Sequence, residues 1–368
     1  MTHSPYEELP PERFWRTGVA QHTPETIKGL YRRRFAISKR DAIGTAGSCF
    51  AQHIANHLRQ HGANLLDAEP PPPGLSDETM RRFGFGMFSA RYGNIYTARQ
   101  LLQLLLEAFG HREPGDIVWT RSGRHYDALR PGIEPEGHAR TEDVMEHRAE
   151  HLAKVRQLFE TMDVFIFTFG LTEAWQHRTS GTVYPTAPGT IAGTFAAEVY
   201  EFHNFGFSDT IEDFRTVRRF LKDINPDMRF LVTVSPVPLT ATASSEHVLA
   251  ATTYSKSVLR AVCGQLYQEC PDLDYFPSYE LIATPFSRAS FFEPNLRSVT
   301  AAGVQRVMEV FFSEHVELAG ARREKIGTPS ANEITGGRLR PRRARRLAES
   351  RHEADVVCEE VMLDAFGR

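Results

Sequence analysis

Val164-Phe165-Ile166-Phe167-Thr168-Phe169 is apolar at every position but Thr168. A run of that length without alternation reads as a strand covered on both faces, because a strand with one wet face alternates apolar and polar residues. Such a strand needs a packed layer on each side of its sheet. The flanking sequence supplies candidates: Met145, Ala149, Leu152, Val155, Phe159 and Met162 mark a helix over 142 to 161, and Ile211, Phe214, Val217, Leu221 and Ile224 mark another, stopped at Asn225-Pro226. Further strands are expected at Asp41 to Ala46, Gly62 to Asp67, Arg229 to Ser235 and Leu273 to Pro277, and a further helix over 252 to 269. Strands alternating with helices in this way imply an α/β fold with a mostly parallel, doubly covered sheet.

The first of these strands breaks at Gly47-Ser48 into a helical pattern carrying Ala51, Ile54, Ala55 and Leu58. In open α/β sheets, ligands meet the loops and helix N-termini at the carboxyl ends of strands. Ser48 therefore reads either as a nucleophile or as the N-cap of the helix. Cys49 beside it is a rival nucleophile or a small buried side chain. His53 and His57 lie four residues apart on the helix, but no glutamate between them completes an HExxH pattern and no third ligand is evident, so no metal is expected. Phe83-Gly84-Phe85-Gly86 lacks both the GxGxxG spacing and the Walker lysine, and no cofactor is expected.

Ile117 to Pro131 alternates around Ser122-Gly123 and reads as an inserted β-hairpin. Residues 176 to 208, with Gly181, Pro185, Pro188, Gly189 and Gly193, read as a long irregular excursion where an active-site loop belongs. The expected domain plan is an N-terminal arm over 1 to 40 packed on the core, an α/β domain over 41 to 318, and a basic linker with a short C-terminal helix over 319 to 368. The linker holds six arginines between Arg338 and Arg346, yet no aromatic or zinc module accompanies them and the net charge is only -3, which argues against a nucleic-acid partner. No stretch approaches the roughly eighteen apolar residues of a membrane span, and the first residues lack a signal-peptide pattern. Four cysteines without paired CxxC spacing fit reduced thiols, and the chain reads as cytoplasmic.

Gly47-Ser48-Cys49-Phe50-Ala51 spells the signature of the GSCFA family. The chain also resembles that family at Gly170-Leu171-Thr172-Glu173-Ala174-Trp175, Thr233-Val234-Ser235-Pro236-Val237 and Tyr254-Ser255-Lys256, so that the resemblance covers roughly residues 41 to 312. It implies an SGNH-hydrolase-like, flavodoxin-like three-layer α/β/α sandwich. The activity implied is that of a serine-dependent esterase or O-acyltransferase acting on acyl groups, such as acetyl groups of a glycan, with a small-molecule or glycan substrate. On that footing Ser48 is the nucleophile, and the N–H groups of Ser48 and Gly93 with Thr172 form the oxyanion hole. Thr172 stands where these enzymes carry an asparagine, so a hydroxyl replaces an amide N–H as donor. Asn94, Glu173, Trp175 and His203 are the expected substrate contacts.

The resemblance fails at one place. The late Asp-x-x-His block that supplies the base is here Asn295-Leu296-Arg297-Ser298. A serine needs a base within hydrogen-bond reach to act near neutral pH. His247, in the loop Ser244-Ser245-Glu246-His247, is the expected substitute, with His203 second and a Ser255/Lys256 arrangement as a further option. The alternative is a catalytically inactive module that keeps the cleft to bind a sugar or an acyl carrier.

Overall fold

The computed structural model describes residues 4–318 and 358–367. The basic run from Arg338 to Arg346 lies outside them. Strand β1 (Ile43–Gly47) leads into helix α1 (Phe50–Gln60). Helices α2 (Asp77–Arg82) and α3 (Ala98–Ala108) are capped by the hydroxyls of Ser76 and Thr97, which accept from Thr79 N–H and Gln100 N–H. Strands β2 (Val118–Arg121) and β3 (Arg124–Asp127) form the antiparallel hairpin read from the sequence, turned at Ser122 and Gly123, both at positive φ. Helix α4 (Thr141–Thr161) feeds strand β4 (Val164–Phe169), and then come strands β5 (Glu173–His177), β6 (Val183–Tyr184) and β7 (Tyr200–Asn204). Helix α5 (Phe207–Ile224), strand β8 (Arg229–Val234), helix α6 (Val248–Glu269), strand β9 (Leu273–Phe276), helix α7 (Ser278–Ala283) and helix α8 (Ala301–Glu314) follow. A 3-10 helix, Glu359–Phe366, lies near the C-terminus.

The central sheet has the order β1-β4-β8-β9, every pair parallel. On the outer side of β1, Leu65 makes one parallel bridge to Ile43. With that bridge counted, the chain crosses the sheet in the order second, first, third, fourth, fifth, the flavodoxin-like order of a doubly wound fold. The strand expected over Gly62 to Asp67 is thus reduced to a single bridge, because the chain leaves the edge towards the prolines at 70 to 73.

The alternation hidden inside the apolar run becomes visible in the layers. Phe165, Phe167 and Phe169 of β4, with Phe230, Val232 and Val234 of β8, face the side covered by α3, α4, α5 and α6. Val164, Ile166 and Leu231 face α1, α7 and α8 on the other side, where Ile27, Tyr31 and Ile37 of the N-terminal segment also pack. Each such phenylalanine is fully buried, a stabilisation of about 1.5–3 kcal/mol per side chain.

The excursion expected over 176 to 208 is ordered differently. Its β6 and β7 pair with β5, which begins just before it at Glu173, in a three-stranded antiparallel sheet of order β6-β5-β7 beyond the carboxyl end of β4. Its strands are short and broken by glycine and proline connectors, so no window of sequence is long enough for alternation to stand out.

The β2–β3 hairpin is tied to the helical layer by buried charge. Asp127 accepts from Arg130 Nε at 2.8 Å and from Arg148 Nη1 at 3.0 Å, while Arg148 also donates from Nε to Glu107 Oε1 at 2.7 Å. Burial alone would raise the Asp127 carboxyl, but the Arg148 and Arg130 guanidiniums override it and hold it at about 2. A carboxyl held below its unfolded value of about 3.9 contributes stability that is present above that pH and lost as pH falls through the folded value. We expect Asp127→Ala to cost about 3–5 kcal/mol, the range for stripping one partner from a buried ion pair. Urea unfolding of the wild type should weaken as pH falls from about 4 towards about 2, and Asp127→Asn should flatten that dependence; an unchanged slope would remove Asp127 from the account.

Candidate functional site

Gly47 ends β1 with φ +135, and any Cβ there would lie 2.4 Å from Thr168 O and 2.7 Å from Thr168 N. Only glycine lets the two strand ends approach so closely. The next residue is delivered by that contact. Ser48 N–H donates to Thr168 O at 3.1 Å, and Ser48 O accepts from Ala51 N–H at 2.9 Å. Ser48 is 1% exposed, and its Oγ makes no hydrogen bond among the described residues. Cys49 is the N-cap residue of α1, and no side chain caps that end. The helix-cap reading of Ser48 therefore fails on geometry: its hydroxyl satisfies no helix N–H. Its own N–H is engaged by the sheet, which corrects the expectation that this group serves the oxyanion.

Two more loops meet the serine. A Cβ on Gly170 would come 2.8 Å from Ser48 Cβ and 3.1 Å from Tyr96 O. The N–H groups of Gly170 and Leu171 both donate to Tyr96 O, at 3.1 and 3.0 Å. The Tyr96 loop is held by amides: Gln100 Oε1 accepts from Tyr96 N–H at 3.0 Å, Gln100 Nε2 donates to Asn94 O at 2.9 Å, and Gln52 Nε2 donates to Asn94 Oδ1 at 3.1 Å. Gly93 turns in this loop at φ +70. Behind the Gly170 loop stands α6. Ser255 Oγ accepts from Thr172 N–H at 3.1 Å, and Lys256 Nζ donates to Gly170 O at 2.6 Å. Burial draws the Lys256 ammonium down to about 8. The Thr172 hydroxyl, like that of Ser48, is buried without a hydrogen bond among the described residues.

A cleft of about 180 Å³ adjoins the site, lined by Tyr96, Glu173, Trp175, Phe202, Glu360 and Leu363 among others. Glu173 accepts from Thr242 Oγ1 at 2.8 Å, and burial raises its carboxyl above the usual range. Trp175 packs its ring 5.1 Å from Phe195 and 5.9 Å from Phe202. His203 is not among the cleft walls. It pairs with Ala174 in the β5–β7 ladder, on the face opposite Trp175, and its ring lies against Phe205.

His247 does not reach Ser48. It is the N-cap of α6, exposed, with Nδ1 accepting from Leu249 N–H at 3.1 Å. The expected substitute for the missing base is thus spent as a cap in this conformation. His57 Nδ1 lies 2.9 Å from His53 O, an intrahelical contact of the pair considered for a metal.

The sequence reading missed the C-terminal contribution. Glu359 accepts from Asn94 Nδ2 and, at 2.8 Å, from Tyr96 OH; Arg297 Nη2 lies 3.2 Å from Glu360 Oε2 and 3.7 Å from Cys358 Sγ. Arg297 belongs to the segment that lacks the Asp-x-x-His block. No local pattern signals these contacts, since the partners lie more than 260 residues from Asn94 and Tyr96.

A family model described as the GSCFA family matches residues 42–311. No curated protein matches the chain. Among solved structures, an acetyl esterase mutant with acetate ion aligns at 8% identity, covering 76% of this chain and 98% of its own, with a TM-score of 0.34. A carbohydrate esterase family 3 structure from Talaromyces cellulolyticus aligns at 12% identity, covering 61% of this chain and 91% of its own, with a TM-score of 0.26. Overlaps this loose assign no residue a role.

Gly170→Ala should overpack the Ser48 corner and destabilise the chain by about 1–3 kcal/mol in urea unfolding. A midpoint equal to the wild type would show that the Gly170 loop does not press on Ser48.

Proposed function

The chain belongs to the GSCFA family, and from that premise we propose that it is a serine-dependent ester hydrolase or acyltransferase in which Ser48 attacks an acyl carbonyl. The observation that carries this reading is the Ser48 hydroxyl, buried at a strand-to-helix corner without a hydrogen bond among the described residues. Leaving such a group unpaired costs about 1–3 kcal/mol, and no helix cap or loop contact among the described residues uses the hydroxyl. Reaction chemistry does. The attacked carbonyl oxygen would find its donors in the Thr172 hydroxyl and Gly93 N–H; removing one such donor from an oxyanion site costs about 2.7–4 kcal/mol of transition-state stabilisation.

Two groups compete to take the Ser48 proton. Lys256 is the one already in the wall: a single residue, Gly170, touches both it and Ser48. An amine near 8 is half deprotonated at about pH 8 and about one tenth deprotonated at pH 7, a larger free-amine fraction than an ordinary lysine offers to a serine–lysine arrangement. His247 would have to leave its capping position to serve. The substrate we infer is an acylated, acetyl-bearing glycan, supported by the aromatic faces of Trp175 and Phe202 and the Glu173 carboxylate along one wall of the cleft. The cytoplasmic setting belongs to the same proposal, and the cysteines are all free thiols among the described residues. The competing reading, a binding module that keeps the cleft without chemistry, draws on the lack of a hydrogen-bonded base at Ser48 among the described residues.

A fluorophosphonate probe applied to the reduced, folded full-length chain should add one phosphonyl group, mapped to Ser48 and absent from Ser48→Ala. Loss of the general base should slow labelling by about 10²–10⁴-fold, which we expect for Lys256→Met and not for His247→Ala. The reverse pattern would transfer the role to His247. No labelling of the folded wild type would overturn the serine mechanism in favour of the binding module.

A further inference from the structure

Glu359 is only 7% exposed, in a segment whose Met362 and Phe366 stand out to solvent. Its carboxylate accepts from Asn94 Nδ2 and, at 2.8 Å, from Tyr96 OH, two uncharged donors on the loop that also carries Gly93. Glycines leave the room for it: a Cβ on Gly93 would lie 3.6 Å from Glu359 Oε1, and one on Gly132 would lie 3.3 Å from it. The carboxylate thus fills a recess shaped by missing side chains.

The recess belongs to the α/β domain and not to the segment that fills it. Asn94 Oδ1 accepts from Gln52 Nε2 of α1 at 3.1 Å, which turns Nδ2 towards Glu359. Gln100 of α3 holds both Asn94 O and Tyr96 N–H. Both donors are therefore set by helices of the core. Tyr96 also joins the recess to the cleft, since its hydroxyl holds Glu359 and the residue lines the cleft with Trp175 and Phe202.

We propose that this recess is a carboxylate-binding subsite of the cleft, filled in this conformation by Glu359 as a stand-in for the ligand, and that the ligand is a sugar acid, whose carboxylate takes the place of Glu359 while its ring lies along the aromatic wall. Its use in substrate recognition rests on the reading of the cleft as a glycan site; the competition between the two carboxylates does not. Hydrogen bonds to an ionised acceptor are roughly twice as strong as neutral ones, so two prearranged donors select an acid group over a hydroxyl. Burial raises the Glu359 carboxyl, and an incoming acid meets the same desolvation, so the seat itself favours neither. The balance is set by what each brings besides: Arg297 on Glu360 and Leu363 in the cleft for the segment, and the faces of Trp175 and Phe202 for the ring of a sugar.

The test uses the full-length chain and a Glu359→Ala variant, with sodium D-glucuronate, D-glucose and sodium acetate as probes and isothermal titration calorimetry as the readout. Freeing the seat should tighten glucuronate by about tenfold or more, because a site filled in most molecules binds in proportion to the fraction left open, and should leave D-glucose unchanged. Adding Tyr96→Phe to Glu359→Ala should weaken glucuronate about tenfold, the loss of one hydrogen bond to a charged group; this change keeps the buried ring, whereas Asn94 also serves Gln52. Glucuronate bound no tighter by Glu359→Ala than by the wild type, or not bound by either, would overturn the subsite. D-glucose tightened by the same factor would show that the variant merely uncovers the cleft and would overturn carboxylate recognition. Acetate bound as tightly as glucuronate would overturn the sugar acid as the ligand. Fluorophosphonate labelling of Ser48 is read in parallel: tighter glucuronate with no labelling of either chain would uphold the subsite and strike the serine mechanism alone.

Discussion

The site depends on one backbone contact, the approach of Gly47 to Thr168 where β1 and β4 end side by side. A side chain at position 47 would fall inside van der Waals distance of the Thr168 backbone, and φ there is open only to glycine. Because the strands meet so closely, the Ser48 N–H can extend the β1–β4 ladder to Thr168 O. The peptide is then fixed, and the side chain has one place to go, into the space bounded by Gly170 and Tyr96. The serine is positioned by main chain alone. Its hydroxyl is left without a hydrogen bond among the described residues.

Around that contact the supporting shell is built of amides rather than charges. Gln52 and Gln100 knit the Asn94–Tyr96 loop, and Tyr96 O holds the two N–H groups that open the Gly170 loop. Charge enters from behind and from the chain's end: Lys256 from α6, then Arg297 with Glu359 and Glu360. Burial, with the neighbouring Cys358, raises the Glu360 carboxyl to about 8 against the opposing Arg297 and Lys256. Lys256 and Glu360 thus both carry shifted protonation equilibria, a perturbation common among ionisable side chains of functional sites.

Much of this was legible in the sequence where the signal is local. The run from Val164 to Phe169 demanded two covering layers, and the structure sorts it into Phe165, Phe167 and Phe169 on one face and Val164 and Ile166 on the other. The glycine-serine corner placed Ser48 at the carboxyl end of a strand because strand and helix periodicities change within two residues there. The β5–β7 sheet was hidden because its strands are short and interrupted, and the Gly62 to Asp67 strand was over-read because one bridging residue is enough to satisfy an edge. His247 looked available because a loop histidine after a strand carries no mark of being a helix cap; only the Leu249 N–H contact reveals that use. The C-terminal contacts were illegible for a different reason: Cys358, Glu359 and Glu360 meet Asn94, Tyr96 and Arg297 across long sequence separations, and single-sequence periodicity does not report such pairings.

On the reading proposed for Ser48, its hydroxyl is kept in the core at a cost to stability because chemistry needs it there. Urea unfolding of Ser48→Ala beside the wild type tests it directly. Removing a buried hydroxyl that has no partner should leave the fold intact and raise stability by about 1 kcal/mol, the low end of the penalty for an unsatisfied buried group. A variant less stable than the wild type would show that the hydroxyl makes a structural hydrogen bond, and the reading of Ser48 as a group reserved for reaction would fall.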